Sequence, residues 1–179
     1  KWSTLGWAAG TTPKGEDTTS GWRPVNAYPT VNGAYYNSSF TDNGTGIATV
    51  LTMPMDPGMG GSNLGRYFSL WLDMPSPASA RAGYELRFTN VGAAKYDAIL
   101  SKWQSGTQTV LASQPGTLIA NGNSFALVDE GSTVSAWTNS GSGFIQLMSI
   151  SDSAFSAGSS GLEGAGNFTR LNNFKAGTL

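Results

Sequence analysis

Histidine and cysteine are both absent from the 179 residues, and each absence closes off chemistry. The usual zinc, iron and copper ligand sets, thiol nucleophiles, Ser-His-Asp triads and disulfide frameworks all need one or the other. Any bound metal would be a hard, oxygen-ligated ion such as calcium, and no other cofactor is implied. Charge is scarce as well: 10 Lys and Arg stand against 11 Asp and Glu, a formal net charge of −1. That leaves no basic field for nucleic acid and no charged tail. Long apolar runs are missing, so the sequence predicts neither insertion into a membrane nor the hydrophobic stretch of a signal peptide. The opening Lys1-Trp2 fits a processed protein or an excised domain. The lack of cysteine leaves the compartment open, because exported bacterial proteins and virion proteins often carry no disulfides.

What is present is turn chemistry and short aromatic or alternating stretches, with 24 Gly and 8 Pro in the chain. The length suits one domain covering residues 1–179, in which residues 1–33, where Trp2, Trp7, Trp22 and Tyr28 are scattered among Gly, Pro and Thr, form an irregular segment wrapping the rest. Strands are predicted at 34–40, 46–53, 66–74, 84–89, 96–103, 107–113, 125–129, 133–138, 144–150 and 169–176. Ser105-Gly106, Asn121-Gly122, Glu130-Gly131 and Ser140-Gly141 supply residues that tolerate positive φ between them. No window carries an amphipathic helix; residues 77–82 are the most helix-like and too short. About ten strands with no repeat period predict an all-β, antiparallel two-sheet β-sandwich, a jelly roll.

Period-2 alternation divides the central strands. Phe68, Leu70, Leu72 and Met74 fall on one face and Tyr67, Ser69, Trp71 and Asp73 on the other; Tyr84, Leu86 and Phe88 oppose Glu85, Arg87 and Thr89; Tyr96, Ala98 and Leu100 oppose Asp97, Ser101 and Trp103. If the three strands are neighbours, their outer face gathers Tyr67, Trp71, Asp73, Glu85, Arg87 and Trp103. Aromatic plates beside carboxylate and guanidinium groups suit a sugar, whose C–H faces stack on rings while its hydroxyls bond to the charged groups. The plainer alternative is that Glu85 and Arg87 form cross-strand pairs and the tryptophans lie buried under a loop.

Catalysis finds less support. Glycosidic hydrolysis generally uses two carboxyl groups on one site, yet the glutamates at 16, 85, 130 and 163 are far apart in sequence. Only Asp129-Glu130 sets two carboxylates side by side, and adjacency on a strand sends them to opposite faces. For calcium, Asp42 and Asp56 each begin an oxygen-rich loop, with a turn as the plainer reading of Asp42.

The order of segments from Arg66 onward resembles the concanavalin-A-like, laminin-G-like jelly-roll superfamily. The residues that carry it are Tyr67-Phe68-Ser69-Leu70-Trp71-Leu72, Gly83-Tyr84-Glu85-Leu86-Arg87-Phe88, the stretch from Ile99 to Trp103 with Thr109-Val110-Leu111-Ala112, then Asp152, Phe155, Gly158, Gly161-Leu162 and Arg170-Leu171-Asn172-Asn173-Phe174. It covers about the last two thirds of the chain. Laminarinase-like members carry Glu-x-Asp-x-x-Glu on one strand, which this chain does not. Alginate-lyase-like members are similar at Tyr84-Glu85-Leu86-Arg87 and at Phe174-Lys175-Ala176-Gly177, but their proton abstraction uses a histidine that is missing here. The segment from Gly161 to Gly177 also looks like the end of jelly-roll domains in bacteriophage minor tail proteins. The resemblance implies the fold and a groove without the lyase reaction. The expectation is a noncatalytic carbohydrate-binding or adhesion domain for a polysaccharide or cell-surface glycan, outside the cell or on a virion surface. The alternative is a structural virion domain, phage tail or capsid-associated, that packs against other protein chains; a third is a polysaccharide-degrading enzyme that works without histidine.

Overall fold

The computed structural model describes residues 2–4, 31–41, 47–52, 64–92, 95–120, 122–165 and 172–178. They form twelve strands: β1 (Trp2–Thr4), β2 (Val31–Thr41), β3 (Ile47–Thr52), β4 (Tyr67–Met74), β5 (Gly83–Gly92), β6 (Lys95–Gln104), β7 (Thr107–Leu118), β8 (Ser124–Glu130), β9 (Thr133–Asn139), β10 (Phe144–Ser151), β11 (Ala157–Ala165) and β12 (Asn172–Thr178). A seven-stranded sheet runs β1-β2-β11-β4-β5-β6-β7 and a five-stranded sheet runs β10-β9-β8-β3-β12. Every pairing is antiparallel. Among the described residues no helix is long and apolar enough to cross a membrane.

The two sheets face each other across a continuous apolar core. Phe68, Leu70, Leu72, Tyr84, Leu86 and Phe88, the set that alternation turns inward, are all 0% exposed. They meet Phe125, Leu127, Val134 and Ala136 of the opposing sheet. The Phe88 ring lies 4.9 Å from Phe68 and 4.6 Å from Phe125. Withdrawing each such side chain from water stabilises the fold by roughly 1.5–3 kcal/mol, which is what presses two half-apolar sheets together.

Hairpin geometry follows from the turn residues. Between β6 and β7 both Ser105 (φ 50) and Gly106 (φ 82) adopt positive φ, the conformation whose twist matches a two-residue hairpin. At one end of the sandwich a polar latch joins the layers: Tyr84 Oη donates to Asp152 Oδ1 at 2.7 Å, and Lys102 Nζ pairs with Asp152 Oδ2. Burial pushes the Asp152 carboxyl upward, but the bonds from Lys102, Tyr84 and the Ala154 N–H outweigh it and hold its pKa below the ordinary value.

Two strands depart from the sequence reading. Trp2–Thr4 pairs with β2 as an edge strand inside the segment expected to be irregular; residues 5–30 lie outside the described residues. More consequential is β11, whose Gly- and Ser-rich sequence shows no alternation, yet which is inserted between β2 and β4. Its small residues are the reason it fits. A Cβ on Gly158 would run into the backbone of Asp73 and Met74, so only glycine permits so close an approach.

Candidate functional site

The face of the seven-stranded sheet that points away from the core is built by register. Glu163 of β11 lies opposite Ser69 of β4, which lies opposite Arg87 of β5; one row along, Gly161, Trp71, Glu85 and Ser101 follow across four strands. Strands are about 4.8 Å apart, so side chains of neighbouring rows touch.

They form one hydrogen-bonded network. Glu85 Oε1 accepts from Ser69 Oγ at 2.7 Å and from Arg87 Nε at 2.9 Å, while its Oε2 accepts from the Trp103 indole N–H at 2.8 Å. Glu163 Oε1 accepts from Tyr67 Oη at 2.7 Å and from an Arg81 terminal nitrogen at 2.8 Å; the same nitrogen reaches Oε2 at 2.9 Å. Arg87 links the two halves, with one terminal nitrogen 2.8 Å from Glu85 Oε1 and 3.7 Å from Glu163 Oε1. Aromatic rings complete it. The Arg81 guanidinium lies over Trp103 at 4.5 Å and Trp71 at 5.6 Å, Arg87 lies over Tyr67 at 4.2 Å, and the two indoles are 6.2 Å apart. Two arginines and two glutamates cancel, so the cluster is neutral as a whole.

The electrostatics follow from that pairing. Burial works against the charge on Arg87, but Glu85, with Tyr67 and Glu163, outweighs it and raises the guanidinium pKa above its ordinary value. Burial and the adjacent Glu163 push the Tyr67 phenol upward, so it remains a donor. Each glutamate oxygen already accepts at least one bond.

The six residues predicted from sequence fare differently. Tyr67, Trp71, Glu85, Arg87 and Trp103 come together as expected on one face, but not as an open groove. Trp71, Asp73 and Glu85 are 0% exposed and Trp103 is 8% exposed, so the stacking platform expected of the two tryptophans is withdrawn from solvent. The physical reason is that they pack on each other, on Arg81 and on Met74, with Tyr35 at the margin. What reaches solvent is the arginine pair, with side chains 19% (Arg81) and 20% (Arg87) exposed, together with half-buried Tyr67. Asp73 has φ 54, rare for a residue other than glycine, and marks where alternation breaks. Beyond it Met74, expected in the core, packs with Trp71 and Trp103 instead.

Glu85 and Glu163, read as isolated, share Arg87. Arg81 and Glu163 were both missed as site residues. Arg81 reaches the cluster from the connection between β4 and β5, which no periodicity marks; the available signal for Glu163 was a lone acid in an otherwise uncharged Gly-Ser-Ala stretch. Asp42 and Asp56, the calcium candidates, lie outside the described residues, and among the described residues no group of three or more acidic side chains could hold a metal ion.

No protein-family profile and no curated protein sequence matches the chain. Solved structures do. The carbohydrate-binding module CBM66 from Bacillus subtilis superposes with a TM-score of 0.65 at 18% identity, over 98% of this chain and 94% of that one. The exoplasmic/lumenal domain of VIP36, in its calcium- and mannose-bound form, gives 0.69 at 12% identity, over 99% and 83%. The enzymatically active domain of tailspike protein 2 from bacteriophage CBA120 gives 0.58 at 13% identity, over 99% of this chain but 28% of the tailspike. At such identities the likeness is one of architecture, and with the two antiparallel sheets described above it establishes the chain as a concanavalin-like jelly-roll β-sandwich.

Proposed function

We propose that the protein is a noncatalytic carbohydrate-binding domain for a polysaccharide or cell-surface glycan met outside the cell. The observation that carries this reading is the neutral arginine–glutamate network on the outer face of the seven-stranded sheet. A sandwich gains little net stability from burying two ion pairs where apolar side chains would fit, whereas planar guanidiniums fixed by carboxylates present donors in set directions. Arg87, Arg81 and Tyr67 would meet the sugar hydroxyls. Glu85, Trp71, Trp103 and Asp73 would hold that surface from beneath. The solvent-open part of the same face continues along β6 and β7, where Ile99 is half-buried and Val110 is 57% exposed, a shelf for apolar sugar surface. The carbohydrate-binding names of two of the structural neighbours agree with this.

The same geometry argues against hydrolysis. An acid–base pair needs one carboxyl protonated and one free to act, and here both accept hydrogen bonds on both oxygens and neither reaches solvent. A structural role in a particle is not favoured by the burial of Trp71 and Trp103, because they are sealed within a single chain.

The test is binding of the pure protein to a glycan array, with Tyr67→Phe and Arg87→Lys beside the wild type. Expected is binding to at least one glycan, weakened several-fold in both variants with the fold retained, and no release of reducing ends. Absence of binding across the array, or reducing-end release, would overturn the reading.

A further inference from the structure

The five-stranded sheet has an outward face of its own, and a tryptophan stands on it. Val134 and Ala136 of β9 are 0% exposed and belong to the core, so alternation turns Ser135 and Trp137 away from it. Trp137 is half-buried. Its indole N–H donates to Ser135 Oγ at 2.9 Å, two residues back on the same face, which ties the ring along its own strand. Trp71 and Trp103 are spent on each other and on Arg81; no ring or cation contact engages Trp137 among the described residues.

Its neighbours are amides, small side chains and one further ring, Phe144, which is exposed and lies opposite Asn139. Across the ladder Gln146, which is exposed, lies opposite Trp137 on one side and Ala126 on the other. Asn139, two residues along, accepts the Gly141 and Gly143 N–H groups at 2.7 and 3.1 Å through Oδ1, which leaves its Nδ2 donor for an outside acceptor. Along the pairing row the nearest charged side chain is Lys175, reached through Ala126 and Val50. Three strand spacings place it about 14 Å away.

We propose that Trp137, with Gln146 and Asn139, is a second carbohydrate-binding surface that takes a neutral pyranose. The indole receives the apolar C–H face of the ring, and the two amides bond to its hydroxyls. The occupant is neutral because, among the described residues, no charged side chain lies beside the indole to offer a counter-charge to a uronate or sulfate. The inference rests on the carbohydrate reading above but uses the opposite side of the sandwich. Two sites facing away from each other let one domain engage two polymer strands, so apparent affinity for a polysaccharide exceeds that for its monosaccharide.

Affinity electrophoresis and calorimetry with soluble mannan, β-glucan, levan and alginate test it on wild type, Trp137→Ala, Gln146→Ala and Tyr67→Phe. Expected is binding to a neutral polymer and not to alginate, at least tenfold weaker in Trp137→Ala and about threefold weaker in Gln146→Ala, with melting temperatures close to wild type. Undiminished binding by Trp137→Ala, with loss in Tyr67→Phe, overturns the second surface and leaves the first reading standing. Loss in Trp137→Ala alone upholds it and removes the site from the seven-stranded sheet. No binding by wild type overturns both, and a concentration-dependent dimer abolished by Trp137→Ala would assign the face to a second copy and overturn it. Should Trp137→Ala fail to fold, protection of the wild-type Trp137 indole from N-bromosuccinimide by the bound neutral polymer, read by peptide mass spectrometry, supports the proposal, and unprotected oxidation overturns it.

Discussion

The two faces of the seven-stranded sheet are made by alternate residues of the same strands, and around β4, β5 and β11 both are largely closed to solvent. One closes by apolar packing, with Phe68, Leu70, Leu86 and Phe88 against the other sheet. The other closes around charge, with Glu85 and Glu163 neutralised by Arg87 and Arg81. Burial alone therefore does not distinguish them; partners do. On the apolar face any side chain of the right volume nearly suffices. On the polar face each atom depends on a particular partner at hydrogen-bond distance, so the loss of one strands the others.

That difference makes measurable demands. The largest effect belongs to Glu85→Ala, which leaves Arg87 short of its main carboxylate and the Trp103 N–H and Ser69 hydroxyl without their acceptor. It should destabilise the fold by about 3–5 kcal/mol in urea denaturation, and Glu85→Ala combined with Arg87→Ala should cost less than the two single losses added together. Additive losses would show that the pair is not coupled and would dissolve the contrast. Leu70→Ala should follow at about 2–5 kcal/mol, with no such rescue from a second substitution at Arg87. The smallest effect is alkaline. Burial raises Tyr67, Tyr84 and Tyr96 above the ordinary value of 10.0, Tyr96 to about 12. Because folding favours the neutral phenol, the stabilisation is complete below pH 10 and is lost progressively above it, up to about pH 12 for Tyr96 and further for Tyr67 and Tyr84. Melting temperature should fall across that range, with tyrosinate absorbance from these residues appearing only as the protein unfolds; ionisation without unfolding would place the phenols in solvent.

Alternation made the core legible from sequence, since Leu, Phe and Tyr at every second position of β4, β5 and β6 bury the same way wherever the strands lie. It also told which residues share the outer face. It did not tell whether that face is open, because exposure depends on elements distant in sequence. The Arg81 stack over Trp103 and the arrival of Glu163 both depend on such elements. β11 was invisible for a related reason: a strand buried on both sides between close neighbours needs small residues, and Gly-Ser-Ser-Gly reads locally as a loop. The sequence puts Trp137 on a strand, but whether its ring stands open depends on what covers the outer face of the five-stranded sheet, which alternation within β9 does not tell. A single positive φ at Asp73 sufficed to move Met74 to the other face.

The insertion of β11 between β2 and β4 bears on how the molecule forms. The seven-stranded sheet joins a strand beginning at Val31 and one ending at Met74 through a strand that starts at Ala157. Until that segment has been synthesised, β2 and β4 have no common neighbour, and Arg81 and Arg87 have no Glu163. Closing so long a loop is entropically costly before the ladder hydrogen bonds and the ion pairs compensate, and proteins dominated by such non-local pairings fold on the millisecond-to-second scale. Completion of the sheet is thereby a late event. Arg87 can pair with Glu85 of its own strand earlier, but Arg81 acquires its carboxylate partner, and the cluster its full set of bonds, only when β11 is in place.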